Sequence, residues 1–157
     1  MKIRRNSLNL YNTAETVWQD GYKGANGSVV SSTSDRFTTN FTEVEPETMY
    51  YLAGNIGSGT HRHRIYFYDA NQDWISRTDP LGYSVHTFTT PANCKYVQFQ
   101  MNKNGVTSTD DWMLTEGDTA QTYEPYNVVD WYDYQYYIND GNWTPTDEKQ
   151  YIDGSWV

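Results

Sequence analysis

The sequence predicts an all-β chain, folded as a sandwich of two antiparallel sheets with a short aromatic-rich extension at its C-terminal end. Three observations carry that prediction. From Leu8 to Tyr126, short segments of alternating apolar and polar residues recur between Gly, Asn, Asp and Pro, and none keeps a helical apolar period for three turns. Aromatic residues make up 17 % of the chain, with 15 Tyr and 6 Trp, against a hydrophobic content of 37 %. Strands accept aromatic and β-branched side chains, whereas amphipathic helices draw on aliphatic ones. Finally, 157 residues suffice for one well-buried core and a tail.

Candidate strands fall at 29–32, 36–44, 49–55, 64–70, 74–77, 83–89, 96–102 and 112–115. The hairpin over 64–77 is the best defined, because Ala70-Asn71-Gln72-Asp73 joins IYFYD to WIS with residues that tolerate turns. Asp79-Pro80-Leu81-Gly82 sets a second turn. Thr90-Pro91-Ala92-Asn93 sets a third, where a proline that cannot donate to a ladder marks the strand boundary. The order reads as a meander with crossovers between two sheets.

After Tyr126 the character changes. Residues 127–157 are dense in Tyr and Trp, poor in Leu, Ile and Val, and contain a near repeat, Tyr137-Ile-Asn-Asp-Gly-Asn-Trp143 and Tyr151-Ile-Asp-Gly-Ser-Trp156. Asp140-Gly141 and Asp153-Gly154 are tight-turn dipeptides between aromatic flanks. Two copies are too few for a self-supporting solenoid. The segment therefore reads as a connector or an aromatic hairpin that packs on a neighbouring module, and an aromatic sugar-docking repeat is the alternative. Domain organisation is accordingly 1–126 for the sandwich and 127–157 for the extension.

A net charge of −9 with scattered Lys and Arg argues against nucleic acid and against an anionic membrane surface. It fits a neutral or zwitterionic ligand better than a polyanion. The single cysteine, Cys94, rules out an internal disulfide and reads as an inert thiol at a turn. No apolar run has the length of a membrane span or a signal-peptide core. With no defined start around Met1-Lys2-Ile3-Arg4-Arg5, the expectation is either a chain not exported by the usual route or a fragment of a larger protein.

Strand parity locates the candidate chemistry. In HRHRIYFYD, Ile65 and Phe67 share one face, and Arg62, Arg64, Tyr66 and Tyr68 share the other. In KYVQFQMN, Val97, Phe99 and Met101 oppose Tyr96, Gln98, Gln100 and Asn102. Amides offer the donors and acceptors that sugar hydroxyl pairs need, and aromatic rings offer flat apolar area to the C–H face of a sugar. Polar residues on a strand are ordinarily just the solvated face of a sheet. Two strands with the same aromatic-plus-polar face instead point to a binding surface across one sheet. Trp18, Tyr22 and Trp112, outside or at the ends of candidate strands, are either lids on the core or stacking platforms, and Trp18 and Trp112 are taken as the platforms. The loop Gly54-Asn-Ile-Gly-Ser-Gly59 leads into His61 at a rim suited to specificity.

Other chemistries are less well supported. His61, His63 and His86 would make a zinc site only if three ligands converged, and parity puts the first two beside Ile65 and Phe67, so rim positions are expected. Polysaccharide hydrolysis needs two carboxyl groups about 5 to 9 Å apart. Most acidic residues here fall in turns or the tail, and Glu43, Glu45 and Glu47 lead into the turn at Pro46 as solvated side chains. Nucleophile-elbow, zinc-protease and phosphate-loop motifs do not occur. The expectation is a protein that is not an enzyme and uses no cofactor. A structural calcium ion is left open, since loop oxygens can supply ligands but no dedicated calcium loop is visible.

The stretch Trp112-Met-Leu-Thr-Glu-Gly-Asp-Thr-Ala-Gln-Thr-Tyr-Glu-Pro-Tyr126 resembles the closing segment of a known family. This family is the jelly-roll carbohydrate-binding modules in tail proteins of phages that infect Gram-positive bacteria, which often end in hydrophobic-x-x-Glu-Gly, then Thr-Ala, then Tyr-Glu-Pro-Tyr. Asn9-Leu10, Tyr66-Phe67-Tyr68-Asp69 with Trp74-Ile75-Ser76, and Phe88-Thr-Thr-Pro91 with Tyr96-Val97-Gln98-Phe99 also match, so the resemblance covers residues 8–126. It implies a jelly-roll sandwich, inserted in or appended to a distal tail, tail-tip or baseplate protein of the virion. Such a module recognises host cell-wall saccharide and contacts other tail proteins. It further implies that Tyr123-Glu124-Pro125-Tyr126 closes the fold. The family carries no fixed set of ligand residues, so the predicted site rests on parity alone. The competing expectation is a structural or oligomerisation module of the tail, whose aromatic face packs on another subunit.

Overall fold

The computed structural model describes residues 2–5, 8–13, 15–54, 62–82, 86–103, 111–123, 126, 130–139, 142–152 and 155–156; for 2–5, 62 and 130–156 it describes the backbone. These residues form strands and turns, with no α-helix among them. The chain divides into two compact units, Leu8–Tyr126 and a second made of Met1–Ser7 with Asn127–Val157.

Within Leu8–Tyr126 the larger sheet is centred on β8 (Arg62–Tyr68) and β12 (Tyr96–Asn102), antiparallel from Tyr96 opposite Tyr68 to Gln100 opposite Arg64. β5 (Asp35–Thr38) and β6 (Thr42–Glu43) flank β12, and β2 (Trp18–Asp20) pairs with β5. β9 (Trp74–Arg77) and β10 (Leu81–Gly82) both pair with β8. The smaller sheet has the order β11 (Thr87–Thr89), β7 (Met49–Ala53), β13 (Met113–Glu116). A separate hairpin joins β3 (Tyr22–Lys23) to β4 (Val29–Val30).

The period-two pattern builds the core. Ile65, Phe67, Val97, Phe99 and Met101 of the larger sheet meet Tyr50, Leu52, Phe88 and Leu114 of the smaller one in a single buried cluster. Tyr11 and Trp112 complete that cluster, their ring centroids 5.4 Å apart. The architecture is thus a β-sandwich. Asn9 ties the N-terminal segment of this unit to β13: its Oδ1 accepts from the backbone N–H of Tyr11 (2.8 Å) and Leu114 (3.0 Å), and its Nδ2 donates to the carbonyl of Trp112 (3.1 Å). A buried amide satisfied in this way is a clamp rather than a cost.

Several elements differ from the sequence reading. The strand expected at 36–44 is broken, because Phe37 faces Gln100 while Thr42 faces Val97, so five steps on one side match three on the other. Side chains fill the gap: Thr38 Oγ1 accepts from Phe99 N–H (2.9 Å), and Gln98 Nε2 donates to the Thr39 carbonyl (2.9 Å). Leu81 and Gly82, expected in a turn, pair with His63 and Arg62. Of the strand expected at 83–89, Thr87–Thr89 is observed as β11, and residues 83–85 lie outside the described residues. β2 and β3, three and two residues long, are too short to show a period. The turn after β8 is held by Asp69, whose Oδ1 accepts from Asn71 (2.8 Å) and Asp73 (2.9 Å).

In the second unit β1 (Lys2–Arg5), β14 (Asp130–Asn139), β15 (Asn142–Ile152) and β16 (Ser155–Trp156) form one antiparallel sheet in that order. The first seven residues, assigned to the sandwich by the sequence reading, group here with residues 127–157. Asn139 opposes Asn142, and Ile152 opposes Ser155, so two-residue links connect successive strands. Those links, Asp140-Gly141 and Asp153-Gly154, lie outside the described residues.

Trp112 is 0 % exposed and touches Tyr11, Trp18 and Phe99. Trp112→Ala is expected to cost about 3–5 kcal/mol, read as a lower urea midpoint with an unchanged denaturant slope.

Candidate functional site

The outer face of the larger sheet carries the residues singled out by parity, and it is a second packed layer rather than an open surface. Tyr66 lies directly across from Gln98, yet its hydroxyl donates to Oε1 of Gln100, one step further along the same face. Tyr68 repeats the offset: it lies across from Tyr96 and donates to Oε1 of Gln98 at 2.6 Å. Long side chains reach such diagonal neighbours on a pleated sheet. The result is a ladder of two phenol–amide pairs. Phe37, Phe41, Trp74 and Tyr96 pack around it, with Phe41 edge-on to Tyr68 at 5.0 Å between centroids.

The β3–β4 hairpin lies on this layer. The backbone N–H of Lys23 donates to the Tyr66 hydroxyl (2.8 Å), and Nη1 of Arg77 donates to the Lys23 carbonyl. Lys23 Nζ stands 5.1 Å from the Phe37 ring centroid. Gly27 adopts φ +81°, and a Cβ there would stand 2.7 Å from Trp74, so glycine lets the hairpin close on the indole. Beneath this cover Tyr66, Tyr68, Gln98 and Gln100 are 0 to 6 % exposed.

Beyond the buried ladder the same face opens into a pocket of ≈ 460 Å³. Its floor crosses four strands, with Arg77 on β9, Arg64 on β8, Gln100 and Asn102 on β12 and Asp35 on β5, and Tyr22 and Pro80 complete the lining. Arg64 pairs directly with Gln100, and Asn102 with Asp35. Oδ1 of Asp35 lies 3.4 Å from the amide nitrogens of both Gln100 and Asn102, and its Oδ2 accepts from Ser32 Oγ at 2.8 Å. The buried Nε of Arg64 has no hydrogen-bond partner among the described residues. Burial, and then the neighbouring charge of Arg77, hold the Arg64 guanidinium below its ordinary pKa. Among the described residues the pocket thus offers two guanidinium groups, one carboxylate, two amides and one aromatic ring.

The ten predicted ligand residues therefore separate. Arg64, Gln100 and Asn102 line the pocket. Tyr66, Tyr68 and Gln98 are buried, with their polar atoms engaged inside the chain, which corrects their assignment to an exposed face. Tyr96 is half-buried against Phe41. Trp112, expected as a stacking platform, has no exposed ring face. Trp18 packs on the inner core with its ring nearly perpendicular to that of Trp112 and the Arg36 guanidinium 4.8 Å from its ring centroid, and it does not line the pocket. The side chain of Arg62 lies outside the described residues.

Parity missed Tyr22, Asp35, Arg77 and Pro80. Arg77 was within reach, since the hairpin register places it opposite Tyr66 on the same face. Of the histidines, His63 is buried beside the core instead of at a rim, and His61 lies outside the described residues. His86 sits with Nδ1 2.9 Å from the Leu52 carbonyl and stacks on Tyr51. No group of three metal-ligating side chains occurs among the described residues. Burial pushes the Cys94 thiol pKa up, which keeps it protonated. Glu43 and Glu45 are exposed and pair with Lys95 (2.7 and 3.8 Å). Comparison with known proteins returns no matching family model, no matching curated protein and no matching solved structure.

Burial gives the ladder a pH signature. It pushes the Tyr66 phenol from 10.0 up to about 12, and raises that of Tyr68 for the same reason. Raised native values mean that their contribution to stability is complete below pH 10 and is lost as pH climbs toward 12 and beyond. The unfolding free energy is expected to fall by about 1.4 kcal/mol per pH unit for each phenol in that range, and Tyr66→Phe to make the fall shallower, both read from urea midpoints against pH. At neutral pH, Tyr68→Phe leaves Gln98 Oε1 without its donor and is expected to cost about 1–3 kcal/mol, measured in the same way.

Proposed function

We propose that the chain is a non-catalytic carbohydrate-binding module of a phage tail or baseplate protein, with a jelly-roll connectivity, that recognises host cell-wall saccharide during adsorption. The observation that carries this reading is the polar pocket on the outer face of the larger sheet. It is open, it is held by strands rather than by loops, and it combines amides, guanidinium groups and Tyr22 in the mixture that sugar hydroxyls and ring faces require. The likeness of the segment from Trp112 to Tyr126 to the closing strand of such modules supports the phage assignment. Among the described residues of the lining the one carboxylate, that of Asp35, is engaged by Ser32 and two amides. A single shallow site binds weakly, and a tail tip would compensate through many copies.

One observation favours a second reading, a structural module of the tail with no sugar ligand. The aromatic residues that sequence parity offers to a ligand are used inside the chain, leaving Tyr22 as the only aromatic ring in the pocket lining among the described residues.

Binding of the fluorescently tagged chain to intact Gram-positive cells, with purified cell-wall polysaccharide as competitor, separates the two. Labelling that the polysaccharide abolishes, and that Asn102→Ala weakens several-fold while the thermal unfolding midpoint holds, is the expected result. No labelling across a broad panel of strains would leave the structural module as the better account.

A further inference from the structure

The pocket holds more positive charge than its neutral hydrogen-bonding role requires. Arg64 and Arg77 both line it, on adjacent strands, and neither makes an ion pair among the described residues, whereas Lys95 and Lys103 each have a carboxylate partner. Arg77 spends one N–H on the Lys23 carbonyl, and the buried Arg64 Nε is without a partner among the described residues. Asp35, the only acid in the lining among the described residues, is turned to Ser32, Gln100 and Asn102. Two like charges brought together in a partly desolvated site, neither of them in an ion pair among the described residues, are costly unless an anion joins them.

We infer that the pocket receives an oxyanion, a carboxylate or a phosphate group carried by the saccharide, bound between the guanidinium groups of Arg64 and Arg77, with Asn102 directed to neighbouring hydroxyls. This rests on the carbohydrate-binding reading and specifies its ligand. Guanidinium groups suit the planar carboxylate and the phosphate oxygens through paired N–H donors. With a net charge of −9, the rest of the chain repels a densely charged polyanion, so the ligand is a largely neutral or zwitterionic polymer in which the oxyanion is an isolated substituent.

The test is a titration of the full chain followed through the side-chain Nε–H nuclear magnetic resonance signals of its arginines, with glucuronate, glycerol 3-phosphate and neutral methyl glucoside as probes. The expected result is that the Arg64 and Arg77 signals shift with one or both anions and weakly with the glucoside. Added salt should reduce the response, and Arg64→Gln or Arg77→Gln should weaken anion binding about tenfold or more. Arg64→Lys, which keeps the charge but not the fork, should fall between, and Lys95→Gln should have no effect. The tighter of the two anions identifies a uronate or a phosphate source. If both anions leave these signals unmoved while wall polysaccharide still competes for cell binding, the oxyanion inference is overturned and the saccharide reading stands. If the anions bind but the polysaccharide does not compete, the anion pocket stands and the saccharide reading falls.

Discussion

The two phenol–amide hydrogen bonds between β8 and β12 are the constraint on which the outer half of the sandwich depends. Burying a glutamine amide or a tyrosine hydroxyl without a partner costs about 1–3 kcal/mol each. The pairs Tyr66–Gln100 and Tyr68–Gln98 avoid that cost only in one register, because a slip of either strand by one residue would turn its two members of the ladder toward the apolar core. The ladder therefore fixes the central strand pair from the outside, as the apolar cluster around Phe99 and Ile65 fixes it from the inside.

The remaining contacts of the outer layer follow from these pairs. Once Gln98 Oε1 is taken by Tyr68, its amide nitrogen is free to reach the Thr39 carbonyl across the break between β5 and β6. Gln100 is oriented in the same way, with Oε1 toward Tyr66 and Nε2 toward Asp35, so the last buried rung is also the first residue of the pocket. The β3–β4 hairpin uses the second capacity of the Tyr66 hydroxyl, as an acceptor for Lys23 N–H, and covers the ladder without covering the strand ends beyond it. Rigid support is thus continuous from the core to the pocket floor, which is how a shallow polar site keeps its geometry.

Electrostatics divides the molecule in the same place. The exposed acids and the net charge of −9 set a negative background, against which Arg64 and Arg77, in no ion pair among the described residues, stand on adjacent strands of one sheet face. On the oxyanion proposal, a charge pattern of this kind selects by position, favouring a ligand that presents one anionic group at one point.

The sequence by itself determined the all-β class, the strand pair at its centre and the inner core, since Val97, Phe99, Met101, Ile65 and Phe67 follow the period of two and 74–77 and 96–102 match the observed strands. It also placed Arg64, Gln100 and Asn102 on one face. Only the tertiary structure decided that the neighbouring Tyr66, Tyr68 and Gln98 are interior. Period tells which face a side chain takes, but not whether another segment lies over that face, and the covering hairpin is held by backbone groups of Lys23 and by the missing side chain of Gly27. Trp112 was misplaced for the same reason, since an aromatic residue at a strand end is a platform or a lid according to what packs on it, and Trp18 packs beside it on the core. Likewise, the pairing of Lys2–Arg5 with Asp130–Asn139 joins the two ends of the chain, a contact that no local pattern encodes because its hydrogen bonds are backbone to backbone.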